Sequence, residues 1–221
     1  MLLRDNAALR TLFSFFVSVV VFDLFINIYI RRMFMTHLGT QELETARLLL
    51  RRFALDDAQA MYENWASDPE VTKFLTWPVH SSIDVSRGVL AEWISNYNRA
   101  DYYQWAIIPK DVNQPIGSIA VVSQDDRVCK AHIGYCIGRP WWHQGYMSES
   151  LQAVINYLFD SVGMLRLDSR HDPRNPNSGA VMRKCGMQYE GILRQSDWNN
   201  QGICDACRYS ILAVDRIENI G

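Results

Sequence analysis

Two segments in the second half of the chain carry residue types that can grip a phosphorylated ligand. The first reads Gly138-Arg-Pro-Trp-Trp-His-Gln-Gly-Tyr-Met-Ser-Glu149. Gly145 stands where an apolar stripe begins, with Met147, Leu151, Val154, Ile155 and Leu158 at helical spacing. A helix N-terminus there offers unpaired backbone N–H groups and the positive end of the helix dipole. It can hold a pyrophosphate without a basic side chain. The segment is neither a Walker loop nor a G-x-G-x-x-G fingerprint. Taken alone it suits an anion site, and equally a plain strand-to-helix loop whose glycine relieves strain. The second segment, Asn175-Pro-Asn-Ser178-Gly-Ala-Val181-Met-Arg-Lys184-Cys-Gly186-Met187, follows the next expected strand.

The elements that must position these segments follow from periodicity and turn residues. Ala46–Phe53 is expected as a strand, and Asp56 as the cap of a helix reaching about Ser67. Asp68–Thr72 starts a second helix with proline in its first turn. Ser81-x-x-Asp84 resembles a capping box, followed by Val89, Leu90, Trp93, Ile94 and Tyr97 at helical spacing. Tyr103–Ile108, Ile116–Val122 and Ala131–Ile137 form a three-strand meander. After the amphipathic helix comes the strand Leu165–Arg170, and such a crossover implies parallel pairing. Ser178–Lys184 is a short helix, and Tyr189–Arg194 with Cys204–Leu212 a hairpin around Asn199–Gly202. The predicted class is α+β with a mixed sheet.

Together the two segments resemble the GNAT superfamily of acyl-CoA-dependent N-acetyltransferases. Trp142–Met147 lies where that family has its Q/R-x-x-G-x-G/A pyrophosphate loop. Asn175-x-x-Ser178-x-x-Val181-x-x-Lys184-x-Gly186 is similar to the N-x-x-S-x-x-[VL]-x-x-K-x-G-F signature of its second cofactor-contacting helix. Leu43-Glu-Thr-Ala-Arg-Leu-x-Leu-Arg and Glu190-Gly-Ile-Leu-Arg194 are similar to the ribosomal-protein N-terminal acetyltransferase (RimJ/RimL) branch. The likeness runs from about Leu43 to Val214. Trp142 replaces the usual Gln or Arg, His143 stands where the branch often has Gly, Met147 where Gly or Ala is usual, and Met187 replaces Phe.

The resemblance implies a GNAT fold: a mostly antiparallel sheet with a central splayed parallel strand pair, flanked by helices. It implies acetyl-CoA as co-substrate, without a metal. The pantetheine would insert between the strands carrying Ile133–Ile137 and Leu167–His171. The implied cofactor-binding residues are Ile137, Trp142, His143, Gln144, Gly145, Tyr146, Met147, Ser148, Asn175, Ser178 and Lys184. A primary amine would attack the thioester directly, which requires a path for the amine proton and a donor for the leaving thiolate. No covalent enzyme intermediate is needed, so none of the five cysteines is required. Ser178 is the candidate acid, since a hydroxyl can donate to a developing thiolate; it equally suits the N-cap of its helix. Asp197 is the candidate base, acting directly or through water, and equally suits a solvated hairpin carboxylate. Tyr146 and Tyr189 are reserve acids. The acceptor is a protein N-terminus, an amino acid or another small amine. A catalytically weak acyl-CoA sensor or assembly module is the alternative, and Asp197 separates the two.

Other residues read as structure first. Cys204-x-x-Cys207 stands alone, and positions three apart on a strand face opposite ways. His132 and His171 lie near the expected splay, where a lone histidine usually packs. His143 can face the cofactor phosphates. Trp65 and Trp77, with the Asp68–Trp77 connection, fall where the family covers its acceptor, so an aromatic acceptor pocket is expected.

Composition sets the outer limits. The chain has 221 residues with 48% hydrophobic and 21% charged residues, which suits a folded chain and not a disordered one. A net charge of -2 leaves no basic excess for nucleic acid. The odd cysteine count does not form a disulfide framework and points to a reducing, cytoplasmic setting. Monomer and homodimer are both compatible. Residues 1–35 differ from the rest: four Arg stand against two Asp, and Thr11–Ile30 is nearly all apolar. Twenty helical residues span roughly 30 Å, enough to cross a bilayer. A membrane anchor through residues 11–30, a signal peptide, and an extension upstream of a start at Met33 or Met35 are the three readings. Asp23 within the apolar run weakens the anchor. The expected organisation is therefore an apolar extension, 1–35, and an acetyltransferase domain, 43–216.

Overall fold

The computed structural model describes residues 35–218. The chain divides into two compact units, residues 1–36 and 37–221, and the second is described below. The apolar segment 11–30 lies outside the described residues. Among the described residues no helix is long and apolar enough to cross a membrane.

Eight strands form one sheet in the order β1-β2-β3-β4-β5-β6-β8-β7. They are β1 (Leu43–Glu44), β2 (Leu48–Arg51), β3 (Gln104–Pro109), β4 (Gly117–Asp125), β5 (Lys130–Ile137), β6 (Arg166–His171), β7 (Gln188–Asn199) and β8 (Gly202–Leu212). Every neighbouring pair is antiparallel except β5 and β6. That pair is parallel because a helix crosses over between its strands, as the change of period after Gly145 predicts.

Six helices flank the sheet in the described residues: α1 (Ala58–Met61), α2 (Pro69–Thr72), α3 (Ile83–Asn96), α4 (Tyr146–Tyr157), α5 (Pro176–Lys184) and α6 (Asp215–Glu218). On one face Phe53, Met61, Trp65 and Leu90 form a buried cluster with Ala106 and Ile108, and Leu49 and Cys136 pack against it. Next to the crossover, α4 buries Met147, Leu151, Val154 and Ile155, as its apolar stripe predicts. Deleting one such side chain, as in Leu151→Ala, costs about 2–5 kcal/mol.

Three expected caps differ from the structure. Asp56 does not cap a helix: a 3₁₀ turn, Leu55–Asp57, leads into α1. Asp57 instead accepts two bonds from Arg51, at 2.7 and 2.9 Å. Ser82, not Ser81, is the N-cap of α3, with no side-chain cap bond, and Asp84 pairs with Arg87. Asn175 is the N-cap of α5 and Pro176 its first residue, which places Ser178 inside the first turn. At α5 the proline fixes the start, since Pro176 takes the first helical position. Asp68 does cap α2, accepting from the Glu70 N–H at 2.9 Å.

Candidate active site

Strands β5 and β6 pair over only part of their length. Lys130, Ala131 and His132 align with Arg166, Leu167 and Asp168, and no partner pair follows. Beyond His132 the strands diverge, so one edge of Ile133–Ile137 faces away from β4 without a strand partner. The divergence has a local cause on the other side of β5. Strand β4 carries a bulge at Val122, between the pairs Val121 with Ile133 and Ser123 with His132. A bulge adds a residue to one strand and bends it, here level with the last paired residue of β5. Ser169 Oγ donates to the Ile133 carbonyl at 2.7 Å. A side chain thus satisfies the first carbonyl that the ladder abandons.

The paired end is held by charge. His132 and Asp168 are buried and hydrogen-bonded to one another. Arg170 Nη1 donates to His132 Nε2 at 3.0 Å, so Nδ1 carries the proton that faces Asp168. Burial pushes the Asp168 carboxyl up, but His132, Lys130 and Arg166 outweigh it and leave it below its usual range. Arg170 continues to Asp197 on β7 with a two-pronged contact, 3.0 Å on the Nη2 side.

A cleft of about 460 Å³ opens where the strands part. Ile137, Trp142, His143, Gly145, Met147, Ser148, Asn175, Ser178 and Lys184 all line it. The freed end of β5, a loop and two helix starts therefore bring together most of the residues expected to hold the cofactor. Gly145 is the N-cap of α4 with φ 82°, a left-handed conformation that suits glycine. Glu149 N–H is bonded back to the Gly145 carbonyl at 3.0 Å. The N–H groups of Tyr146, Met147 and Ser148 thus lie ahead of the helical ladder. A side chain at 145 would sit 3.4 Å from Arg47 Nη2 and 3.8 Å from Lys184 Nζ. Two cations and a helix N-terminus converge on one glycine, an arrangement that fits a pyrophosphate.

Gln144 and Tyr146 are the two expected cofactor residues outside the cleft lining. The Gln144 amide donates to the Pro140 carbonyl at 2.6 Å. The Tyr146 ring lies 4.6 Å from the Arg47 guanidinium. Arg47 also donates to the Gln144 carbonyl at 3.1 Å and to Glu149 at 2.7 Å. It fastens the loop and α4 to the chain between β1 and β2. Burial pushes the Glu149 carboxyl up, yet bonds from Thr45 and Arg47 leave it below its usual range.

Ser178 lines the cleft, and Asp197 does not. Asp197 follows a second irregularity: between Leu193 and Asp197 strand β7 uses four steps against two on β8. Burial pushes its carboxyl up, but Arg170, the Trp198 N–H and Arg208 together leave it below its usual range. Tyr189 is exposed on β7 beside Tyr209, with ring centroids 5.3 Å apart. The Asp68–Trp77 connection supplies Glu70, Val71, Lys73, Phe74 and Leu75 to the cleft. Asn200 pins it from the β7–β8 turn, through Leu75 O at 3.1 Å and Thr72 O and Trp77 O at 2.8 Å each. The aromatic cleft residues are Phe74, Tyr135, Trp141 and Trp142; Trp65 is wholly buried in the core.

Sequence reasoning missed Tyr135, Arg47 and Arg174. Tyr135 shares the alternation of Ile133 and Ile137 and was legible as a residue of the same strand face. Arg174 is held by the buried Asp172, which accepts from its N–H at 2.8 Å and its Nη2 at 2.5 Å. Arg47 stands in the Leu43–Arg51 motif, but nothing local tied it to the loop, because its partners lie about a hundred residues away. Cys204 and Cys207 are free thiols, and burial pushes both up. Among the described residues no group of three His, Cys, Asp or Glu side chains is placed to hold a metal ion.

An open mixed sheet, split at its parallel pair and facing a glycine-headed helix, defines the N-acetyltransferase class of fold. The sequence profile of the Acetyltransferase (GNAT) domain matches residues 47–188, and the chain belongs to that family. An uncharacterized N-acetyltransferase, p20, of Bacillus licheniformis is 30% identical over 78% of this chain and 96% of its own. The ribosomal-protein-serine acetyltransferase of Escherichia coli (strain K12) is 28% identical over 62% of this chain and 75% of its own. The structure of RimL, a ribosomal alpha-N-protein acetyltransferase in complex with coenzyme A, has a TM-score of 0.70. It is 22% identical over 78% of this chain and 98% of that one.

Proposed function

We propose that the protein transfers an acetyl group from acetyl-CoA to a primary amine by direct attack, with a protein N-terminus as one acceptor class. One observation carries the reading: the part of β5 that has left β6 lines the same cleft as the Gly145 helix start and Ser178. The names of the ribosomal-protein relatives support a protein acceptor.

When bound, acetyl-CoA supplies the thioester carbonyl that the amine attacks. The chain's own residues do the rest. Free N–H groups at Tyr146–Ser148, with Lys184, hold the pyrophosphate. The unpaired edge of Ile133–Ile137 supplies backbone groups to the pantetheine amides, and Asn175 and Ser178 close the wall opposite. Ser178 Oγ–H stabilises the leaving sulfur. Asp197 stays ionised beside Arg170 and acts on the amine by charge, while water carries the proton away. A carboxyl pulled below its ordinary range is a poor proton acceptor; as a fixed negative charge it favours an approaching cationic amine.

The test is acetyl-CoA titration by calorimetry, followed by a panel of peptides, amino acids and small amines read by mass. A rise of 42 Da on one amine, with equivalent thiol release, is the expected result. No cofactor binding, or binding without transfer to any amine, overturns the reading. The same reading places the activity in residues 43–216, so a chain begun at Met35 transfers acetyl at the full-length rate.

A further inference from the structure

The hydroxyl of Ser178 already has a partner. Its Oγ donates to the Tyr135 hydroxyl at 3.2 Å, and that hydroxyl donates to the Ser178 carbonyl at 2.9 Å. The two residues come from opposite walls: Tyr135 from β5 where it has left β6, and Ser178 from the first turn of α5. Both line the cleft. Burial pushes the phenol well above its ordinary range, so it keeps its proton through neutral pH and remains a donor. Phenylalanine would fill the same wall, so the hydroxyl itself serves Ser178.

We propose that Tyr135 is a positioning residue for acetyl transfer, holding the Ser178 hydroxyl at the cleft wall and releasing its proton side to the sulfur as the thioester breaks. This rests on the acetyl-transfer reading. A free serine hydroxyl samples three rotamers, and fixing one costs entropy at the moment of reaction. Tyr135 fixes Oγ beforehand through two hydrogen bonds, one to the side chain and one to its backbone. When the C–S bond breaks, the sulfur gains a lone pair and negative charge. The Ser178 O–H then turns from a neutral phenol oxygen to an anionic acceptor, exchanging a weaker hydrogen bond for a stronger one. No bond to the protein forms or breaks. The amine proton leaves to water, and the thiolate takes its proton from water.

The experiment compares wild type with Tyr135→Phe, Ser178→Ala and the double variant on one acetylated amine. Tyr135→Phe is expected to lower kcat about five-fold, the worth of about one neutral hydrogen bond, with the acetyl-CoA KM within about two-fold on the same magnitude argument. The double variant is expected to turn over no more slowly than Ser178→Ala, because Tyr135 acts only through Ser178. A kcat unchanged in either single variant overturns the proposal. So do additive losses, or a loss carried by the acetyl-CoA KM, which mark a wall residue instead. Calorimetric acetyl-CoA affinity and urea unfolding of each variant separate misfolding from a catalytic effect. If wild type transfers to no amine, the acetyl-transfer reading itself fails, and this inference with it.

Discussion

The two halves of the β5–β6 pair put neighbouring residues of the same strands to opposite uses. Over Lys130–His132 the strands are hydrogen-bonded and cemented by a polar chain, Asp168 to His132 to Arg170 to Asp197, buried at its first two members and half-buried at the others. From Ile133 onward they part, and Tyr135 and Ile137 line a cleft. The first half is paired strand to strand and tied by side chains. The second leaves one backbone edge for something else to bond. An open edge inside a sheet is costly unless a ligand or side chain takes its groups; Ser169 takes the Ile133 carbonyl and the Trp142 indole the Ile137 carbonyl, at 2.7 Å each. The comparison teaches that the cleft is a consequence of the vertex. A bulge on β4 and a polar network at His132 mark where pairing stops, and the cleft lining begins three residues later, at Tyr135.

The largest way to break this comparison is at the vertex. Asp168→Asn leaves Lys130, Arg166 and His132 facing a neutral amide in a buried place. Removing one partner of a buried ion network costs about 3 kcal/mol, and urea unfolding reads it. If the vertex sets the cleft, acetyl-CoA affinity falls with it; stability lost at unchanged affinity would separate the two halves. A break in the cleft itself comes next. Gly145→Pro cannot adopt φ 82°, since proline fixes φ near -65°. Acetyl-CoA affinity is expected to fall at least about ten-fold, roughly the 1–2 kcal/mol of a lost left-handed position, while urea unfolding changes less than in Asp168→Asn. Undiminished affinity by calorimetry would remove the helix start from the cofactor site.

Asp197 sharpens the contrast, because it joins the vertex by charge and lies outside the cleft lining. Asp197→Asn is expected to lower kcat about ten-fold as the loss of a negative charge acting at a distance. A loss of about 10²–10⁴-fold would instead mark a direct general base.

Glu149 gives the smallest effect, at the loop that faces the cleft from outside. Its folded carboxyl lies below the ordinary value of 4.5 because Thr45 and Arg47 hold it. Such a group stabilises the fold fully above its unfolded value, and the contribution is lost as pH falls through the lowered folded value. Glu149→Gln is expected to cost about 0.5–1 kcal/mol at neutral pH, with a difference from wild type that shrinks in acid. A constant difference from neutral pH to pH 3 would show that charge plays no part there.

How far the site was legible depended on the range of the interactions. Asn175, Ser178 and Lys184 sit on one short helix, and Gly145 heads another, so local spacing was enough to place them. Ser178 as a helix cap failed because Pro176 takes the first helical position and draws the start back to Asn175. Asp197 was sought in a hairpin loop, and the structure places it in strand β7 paired with Cys204. The irregular stretch before it, with Gln195 at φ 48°, aims its carboxylate at Arg170, and no local pattern announces that.

By itself the sequence determined the family, the α+β class, the order of strands around the crossover and the two segments that meet at the cleft. These rest on periodicity and on glycine, asparagine and serine at fixed local spacing, which act within a turn or two of chain. Only the tertiary structure decided where β5 leaves β6, which carboxylates face guanidinium groups, and that Tyr135 meets Ser178 across the cleft. Those outcomes join residues tens of positions apart. Each is set by the register between strands and by a bulge of one residue, and neither leaves a trace in any single segment.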